Sequence, residues 1–129
     1  MWNQLQWLHE RDMPGVAWAC DASDDPAEND FAFSFAGQSF FIIGLNPASS
    51  RLARRFEIPT LVFNPRSQFD RLREDGRFEP LRAAIRKRDI ALQGDLNPNL
   101  ADFGERSEAR QYSGRKVEDE WKCPFHRKP

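Results

Sequence analysis

Residues 31–45, FAFSFAGQSFFIIGL, decide the fold class of this chain. Phenylalanines stand at positions 31, 33 and 35, so their side chains share one face of an extended strand. The segment AGQS then turns the chain, and FFIIGL supplies a second apolar strand. This pattern predicts an antiparallel β-hairpin with one aromatic face and with strands over Phe31–Phe35 and Phe40–Leu45.

Helical and extended patterns flank the hairpin on both sides. Apolar residues at 2, 5 and 8 predict a short amphipathic helix over residues 2–11. After the hairpin, NPASSRLARRF predicts a short helix that begins near Ser49, and PTLVFNP predicts a third strand. Two more helices are expected around residues 66–75 and 79–92, where they would cover the sheet.

The helix at 79–92 is predicted to be amphipathic. The apolar stripe that should face the protein interior consists of Phe78, Leu81, Ile85 and Leu92. The side that should face water carries Arg82, Arg86 and Lys87. From Gln93 onward no periodic pattern continues. The predicted fold class is therefore α+β: a small antiparallel sheet with an aromatic hairpin, three to four short helices and a long irregular C-terminal segment.

Composition limits the class of protein. The 129 residues, of which 40% are hydrophobic, are expected to form a single domain over 1–129 with a modest core. No apolar run is long enough to span a bilayer, and the N-terminus lacks the layout of a secretory signal, so no membrane partner is expected. Two cysteines are too few for a disulfide scaffold, which makes a reducing cytoplasm the expected compartment.

Charge is divided unevenly along the chain. Residues 1–50 carry one base against seven acids, a net charge of −6, and residues 51–129 carry eighteen bases against thirteen acids, a net charge of +5. This division is typical either of an anionic ligand for the second half or of two halves that attract each other. We favour the mutual attraction, because acids interrupt the basic half throughout. The run RKR at 86–88 lacks the interleaved aromatic residues of single-strand binding proteins, so no nucleic acid partner is expected.

The C-terminal stretch EWKCPFHRKP contains the most reactive candidate, Cys123. A cysteine before a proline is well suited to ligate haem iron, since a rigid turn exposes its thiolate. Zinc is a second possibility, because Cys123 and His126 are spaced as a ligand pair, but only Cys20 and His9 remain to complete four ligands. The third possibility is structural: a half-buried cysteine packed by its aromatic neighbours.

Two other segments admit alternative interpretations. In GLNPASSR, residues 44–51, the serines at 49 and 50 are first of all candidates for a helix N-cap. They could instead bind an anion with the help of the arginines at 51, 54 and 55. The turn also has a faint likeness to the Gly-x-Asn-Pro turn of uracil-DNA glycosylases, whose remaining signature is absent here. The phenylalanines at 31, 33, 35, 40 and 41 could form the core or could wall a flat hydrophobic cofactor.

Several stretches together resemble one protein family. ADFGERSEARQYSGR and WKCPF are the specific ones, and the hairpin, PTLVFNP and QFDRLREDGRFE agree with them in order and spacing. From about Phe31 to Phe125 the chain resembles the C-terminal half of the YqcI/YcgG family, whose members are about twice as long. The resemblance implies haem-dependent N-hydroxylation of guanidino groups, including that of arginine, since some members have this activity. Asn46 stands where many relatives carry histidine in GLHP, which would leave iron ligation to Cys123 or His126 or would leave the haem absent.

The resemblance and the residues together predict a function. We expect a domain that binds haem b against the phenylalanines and uses O2 to hydroxylate the guanidino or amino nitrogen of a small molecule. Cys123 is the expected iron ligand, with its pKa lowered by neighbouring lysines and arginine. The expected cofactor-binding residues are Cys123, His126, Asn46 and Arg51. The expected substrate-binding residues are Asp102, Glu105, Arg106, Arg110 and Tyr112. The alternative is a non-catalytic domain that pairs with itself or with a partner chain.

Overall fold

The computed structural model describes residues 1–100 and 105–128, and the fold is α+β as predicted. A short 3-10 helix at Leu52–Arg54 lies between the second and third strands. The remaining elements, in chain order, are α1 (Trp2–Glu10), β1 (Phe33–Phe35), β2 (Gln38–Leu45), β3 (Thr60–Pro65), α2 (Arg66–Glu74), α3 (Phe78–Gln93) and α4 (Ala109–Tyr112).

The three strands form one antiparallel sheet in the order β1-β2-β3. The predicted hairpin is confirmed, with Phe33 opposite Phe40 and a two-residue turn at Ala36 and Gly37. Both turn residues have positive φ, 50° and 73°, as in the tight turns whose twist matches that of β-strands. The carboxylate of Asp12 accepts a hydrogen bond from the Ala36 N–H at 2.9 Å, which helps to hold the non-glycine residue in this conformation.

The hydrophobic core joins the two ends of the chain to the hairpin. Its buried members are Leu5, Phe31, Phe33, Ile42, Ala109, Tyr112 and Phe125. Phe35, Phe40 and Phe41 pack around this cluster. The phenylalanines of the hairpin therefore belong to the core, and the fully buried rings of Phe31 and Phe33 offer no free face to a flat cofactor.

Helix α3 has the predicted length but not the predicted orientation. It packs against α2 and the 3-10 helix, whereas α2 packs on β2 and β3. None of its residues is buried, and Leu81, Ile85 and Leu92 are exposed. Arg82 and Arg86, which were expected to face water, are half-buried. The expectation that α3 covers the sheet with its apolar stripe was wrong.

The segment GLNPASSR does not begin an α-helix. A short 3-10 helix at Leu52–Arg54 follows it instead, with Arg51 rather than a serine at its N-cap position, so the predicted start near Ser49 and the serine N-cap were wrong. The side-chain oxygen of Asn46 accepts a hydrogen bond from the Ala48 N–H at 2.9 Å, which folds the chain into a local turn instead.

Candidate functional site

A surface depression lies beside the C-terminal segment. It has a volume of about 890 Å³ and is lined by the acidic loop at 24–29 and by residues of the segment 106–127. Here it is called the C-terminal groove. Four residues that the sequence singled out line it together: Arg106, Arg110, Cys123 and His126.

The wall that carries Cys123 has no helix or strand, and specific contacts hold it in place. Phe125 is buried in the core. The side chain of Gln6 on α1 donates to the carbonyl of His126 and accepts from its N–H, both at 3.0 Å. Two residues later, the backbone N–H of Lys128 donates to Nε2 of His9 at 3.2 Å. The N-terminal helix therefore positions one wall of the groove.

His9 must be neutral at Nε2 to accept the hydrogen bond from Lys128. Burial lowers the pKa of its imidazole, and the nearby Arg127 and Lys128 lower it further, although the carboxylates of Asp12 and Glu10 oppose this. The ring also packs edge-on against Trp18 and Phe125. These contacts favour the uncharged form that holds the C-terminal segment.

Cys123 is half-buried and packs against the hydrophobic core cluster, as the structural interpretation of this residue predicts. Burial raises the pKa of its thiol to about 11, although a hydrogen bond from the backbone of Phe125 opposes this shift. The expectation that neighbouring cations lower the pKa was wrong. Arg127 forms an ion pair with Asp24 and Lys128 forms one with Glu10, so two of those charges are balanced by carboxylates.

The guanidinium groups of the two arginines in the groove differ in how firmly other residues hold them. Arg110 donates to the carbonyl oxygens of Glu118 and Trp121 at 2.6 and 3.3 Å, which fixes its guanidinium over the C-terminal segment. Arg106 is exposed and only loosely paired with Asp119, at 3.8 Å. Arg106 is thus the more available cation for an anionic group in the groove.

Arg51, predicted to bind the cofactor, lies outside the groove. Its guanidinium donates to Asp95 at 2.5 Å and to Asp89 at 2.6 Å. Arg51 as a whole is only 7% exposed. These ion pairs raise the pKa of Arg51 despite its burial. The described contacts give Arg51 a structural role, which is to fasten α3 to the 3-10 helix.

Tyr112, predicted to bind substrate, is fully buried in the core. Its hydroxyl accepts from the Phe33 N–H and donates to the Phe40 carbonyl, both at 3.1 Å. Phe33 and Phe40 are opposite each other in the hairpin, so the hydroxyl bridges the two strands. Burial raises the pKa of Tyr112 far above its ordinary value. This placement gives a substrate no access to the hydroxyl.

The remaining predicted residues are dispersed. Asn46 lies at a separate cavity that Met1, Gly44 and Thr60 also line. Glu105 is exposed and does not line the groove. Asp102 lies outside the described residues. The structure therefore brings together Cys123, His126 and the arginines at 106 and 110, and it separates Asn46, Arg51 and Tyr112 from them.

Sequence reasoning missed the acidic wall of the groove. Asp24 and Asp25 lie in the acidic loop DASDDPAEND, residues 21–30, and Asp119 also lines the groove. The signal that could have found them is the charge asymmetry of the chain. Two ion pairs, Asp24 with Arg127 and Glu10 with Lys128, join the acidic first half to the basic second half. The interpretation that the halves attract each other agrees with these pairs.

Glu108 was also missed, because its chemistry depends on burial. Loss of solvent raises the pKa of this carboxyl to about 7, although the guanidinium groups of Arg66 and Arg73 oppose the shift. Its Oε2 atom is buried, with no hydrogen-bond partner among the described residues. No sequence pattern marks such a group, since the desolvation comes from elements that are distant in the chain.

Within 1–100 and 105–128 no group of three or more histidine, cysteine, aspartate or glutamate side chains is placed to hold a metal ion. In the same ranges no helix combines the length and the apolar character that crossing a membrane requires.

Comparison with known proteins identifies the family. The chain belongs to the YqcI/YcgG family, whose model matches residues 1–126. Two Bacillus subtilis (strain 168) proteins, each described as uncharacterized, are similar to it: YqcI at 31% identity and YcgG at 32%, both over 130 residues. Each match covers 96% of this chain, but it covers 50% of YqcI and 51% of YcgG. The chain thus spans about half the length of these relatives. No solved structure matches it.

Proposed function

We propose that this member of the YqcI/YcgG family binds haem b in the C-terminal groove, with the sulfur of Cys123 as the iron ligand. The observation that carries the proposal is the position of this sulfur in the wall of an 890 Å³ groove, beside Trp121 and Phe125. The half-buried ring of Trp121 suits the apolar face of a porphyrin, and the exposed Arg106 and Lys122 suit its propionates. The donor set of the groove therefore fits this cofactor.

Cys123 can ligate iron as a thiolate only after its thiol loses a proton. With its pKa raised to about 11, the thiol is protonated at neutral pH before it meets iron. Binding of a thiolate to iron would release this proton, so that the apparent affinity for hemin should rise with pH. His126, exposed in the same groove, is the competing ligand, since neutral imidazole is a common donor to iron.

The proposed reaction is O2-dependent hydroxylation of a guanidino or amino nitrogen in a small molecule. Bound haem would supply the activation of O2, with electrons from a donor. The chain's own residues would bind and orient the substrate. The carboxylates of Asp25 and Asp119 line the groove and suit a cationic substrate by charge-assisted hydrogen bonds. The cytoplasm, as the reducing compartment, is the proposed location.

Titration of the purified chain with hemin tests the cofactor. We expect a Soret band that saturates at one haem per chain, and a ferrous–CO spectrum with the red shift of a thiolate ligand. Cys123→Ser should abolish that red shift. Cys20→Ser is the matched control, because Cys20 is the other cysteine, is exposed, and does not line the groove. It should leave the spectrum unchanged.

Three results would contradict parts of this proposal. A folded sample with no band above free hemin would refute haem binding. A spectrum that survives Cys123→Ser but is lost in His126→Ala would transfer the ligand role to His126. An unchanged spectrum in both variants would place the haem elsewhere on the molecule.

The second candidate function is a non-catalytic domain that pairs with a partner chain or with itself. Two observations favour it: α3 exposes apolar side chains to solvent, and the chain matches only half the length of its relatives. Exposed apolar surface of this kind is typical of an interface. The two proposals concern different surfaces and are tested separately.

A further inference from the structure

Helix α3 turns its apolar side away from the protein. Leu81, Ile85 and Leu92 are 42%, 54% and 55% exposed. At spacings of four and seven residues, they lie on the same side of the helix. These three residues are here called the α3 surface. A helix that leaves its apolar side in water is incompletely packed, because burial of that side is the usual source of helix stability in proteins.

Polar contacts fix the rotation of α3 about its axis. Asp89 accepts a hydrogen bond from the buried Arg51 at 2.6 Å. One turn later, the side chain of Gln93 accepts from the Leu52 N–H at 2.7 Å and donates to the Ser50 carbonyl at 3.1 Å. These ion-pair and hydrogen-bond contacts thus fix which side of α3 faces the protein. Rotation of the helix to bury the α3 surface would break these contacts and would take the Asp89 carboxylate away from the buried Arg51.

The charges next to the α3 surface indicate what could cover it. Arg88 is exposed and lies between Ile85 and Leu92 on the same side of the helix. If two copies of the chain packed α3 against α3 in an antiparallel two-fold contact, each Arg88 would approach its counterpart. Such like charges oppose self-pairing and favour a partner that presents carboxylates beside apolar side chains.

The greater length of the relatives indicates a partner for the α3 surface. The match covers 50% of YqcI and 51% of YcgG, so about half of each relative lies outside the matched stretch. We propose that the α3 surface is the docking site for this unmatched half of the family fold, through an apolar segment that carries carboxylates. The inference rests on the second candidate function and names its surface and its partner.

The test compares intact proteins: this chain and full-length YqcI from Bacillus subtilis. Ile85→Cys in this chain, and the same change at the aligned position of YqcI, are labelled with a small thiol reagent and followed by mass spectrometry. We expect labelling in YqcI to be roughly tenfold slower or more, because the site must first open. Lys87→Cys and its YqcI equivalent are the matched control, since Lys87 is exposed on the other side of α3. They should label at similar rates in both proteins.

Two outcomes overturn the proposal. Equal labelling of the Ile85 position in both proteins would show that the unmatched half leaves this surface open. A dimer of this chain that Ile85→Glu converts to monomers would show that a second copy covers it instead. Neither measurement depends on haem, so failure of this docking proposal is distinguishable from failure of hemin binding in the C-terminal groove.

Discussion

The core cluster and helix α3 show two different ways in which apolar sequence is used. In the core, seven buried residues from α1, the hairpin, α4 and the C-terminal segment share one interior. In α3, a 16-residue helix with a clear apolar stripe buries no residue at all. Hydrophobic periodicity thus predicts that a helix or strand forms, whereas burial of its apolar side depends on which other part of the protein packs against it. Four predictions test this difference, from the largest expected effect to the smallest.

Phe125→Ala should have the largest effect, because it removes a fully buried ring that joins the C-terminal segment to the core. Loss of such a ring costs about 3–5 kcal/mol of the free energy of unfolding, through lost burial and the cavity left behind. Urea denaturation measures this cost. We also expect faster thiol labelling of Cys123, two residues away, as its wall of the groove loosens. A cost below about 1 kcal/mol would mean that the segment is not part of the core.

Glu108→Gln should change how stability depends on pH. The pKa of Glu108 is raised in the folded state to about 7, from 4.5 for an unperturbed glutamate. Its contribution to stability is therefore complete below pH 4.5 and is lost as pH rises to about 7, because the unfolded chain ionises first. Between pH 4.5 and pH 8, the wild type should therefore lose on the order of 3 kcal/mol of its free energy of unfolding relative to the Glu108→Gln variant. Parallel pH profiles of the two proteins would contradict the buried carboxyl.

Tyr112→Phe tests the hydroxyl that bridges β1 and β2. The change keeps the buried ring but leaves the Phe33 N–H and the Phe40 carbonyl without this partner. Unpaired buried polar groups cost about 1–3 kcal/mol, and this should appear as a lower urea midpoint with an unchanged slope. Unchanged stability would indicate that the two strand groups bond directly to each other once the hydroxyl is gone.

Ile85→Ala should have the smallest effect, within about 0.5 kcal/mol of the wild type, because the side chain is 54% exposed. Its matched comparison is Ile42→Ala, which truncates the same residue type in the core and should cost about 2–5 kcal/mol. Urea denaturation of both variants gives the contrast directly. A large loss in Ile85→Ala would show that α3 is packed by a second copy in solution.

Much of the fold could be predicted from local pattern. The three strands, α1, α2 and α3 lie close to their expected positions, because alternation and helical spacing are local properties of the chain. The prediction failed for the orientation of α3, because Asp89 faces inward and binds Arg51 while the apolar stripe faces outward. A buried ion pair between residues 38 positions apart has no local pattern, and it decided which side of the helix faces inward.

The candidate site was predictable in part. Cys123, His126 and Arg106 were found because residue type and spacing carry chemistry, and the structure places all three in one groove. Their relation to the acidic loop at 24–29 was not found, since a loop of acids has no preferred partner until the chain folds. The role of these residues in haem and substrate binding stays a prediction.

The sequence by itself determined the elements of this protein: an aromatic hairpin, helices of definite length and a C-terminal segment that carries Cys123. Tertiary structure alone decided the state of the groups that those elements carry. It placed Tyr112 between two strands, buried Glu108 and raised the pKa of Cys123 to about 11. The physical reason is that backbone conformation follows from neighbouring residues, whereas desolvation and charge pairing depend on residues that only folding brings close.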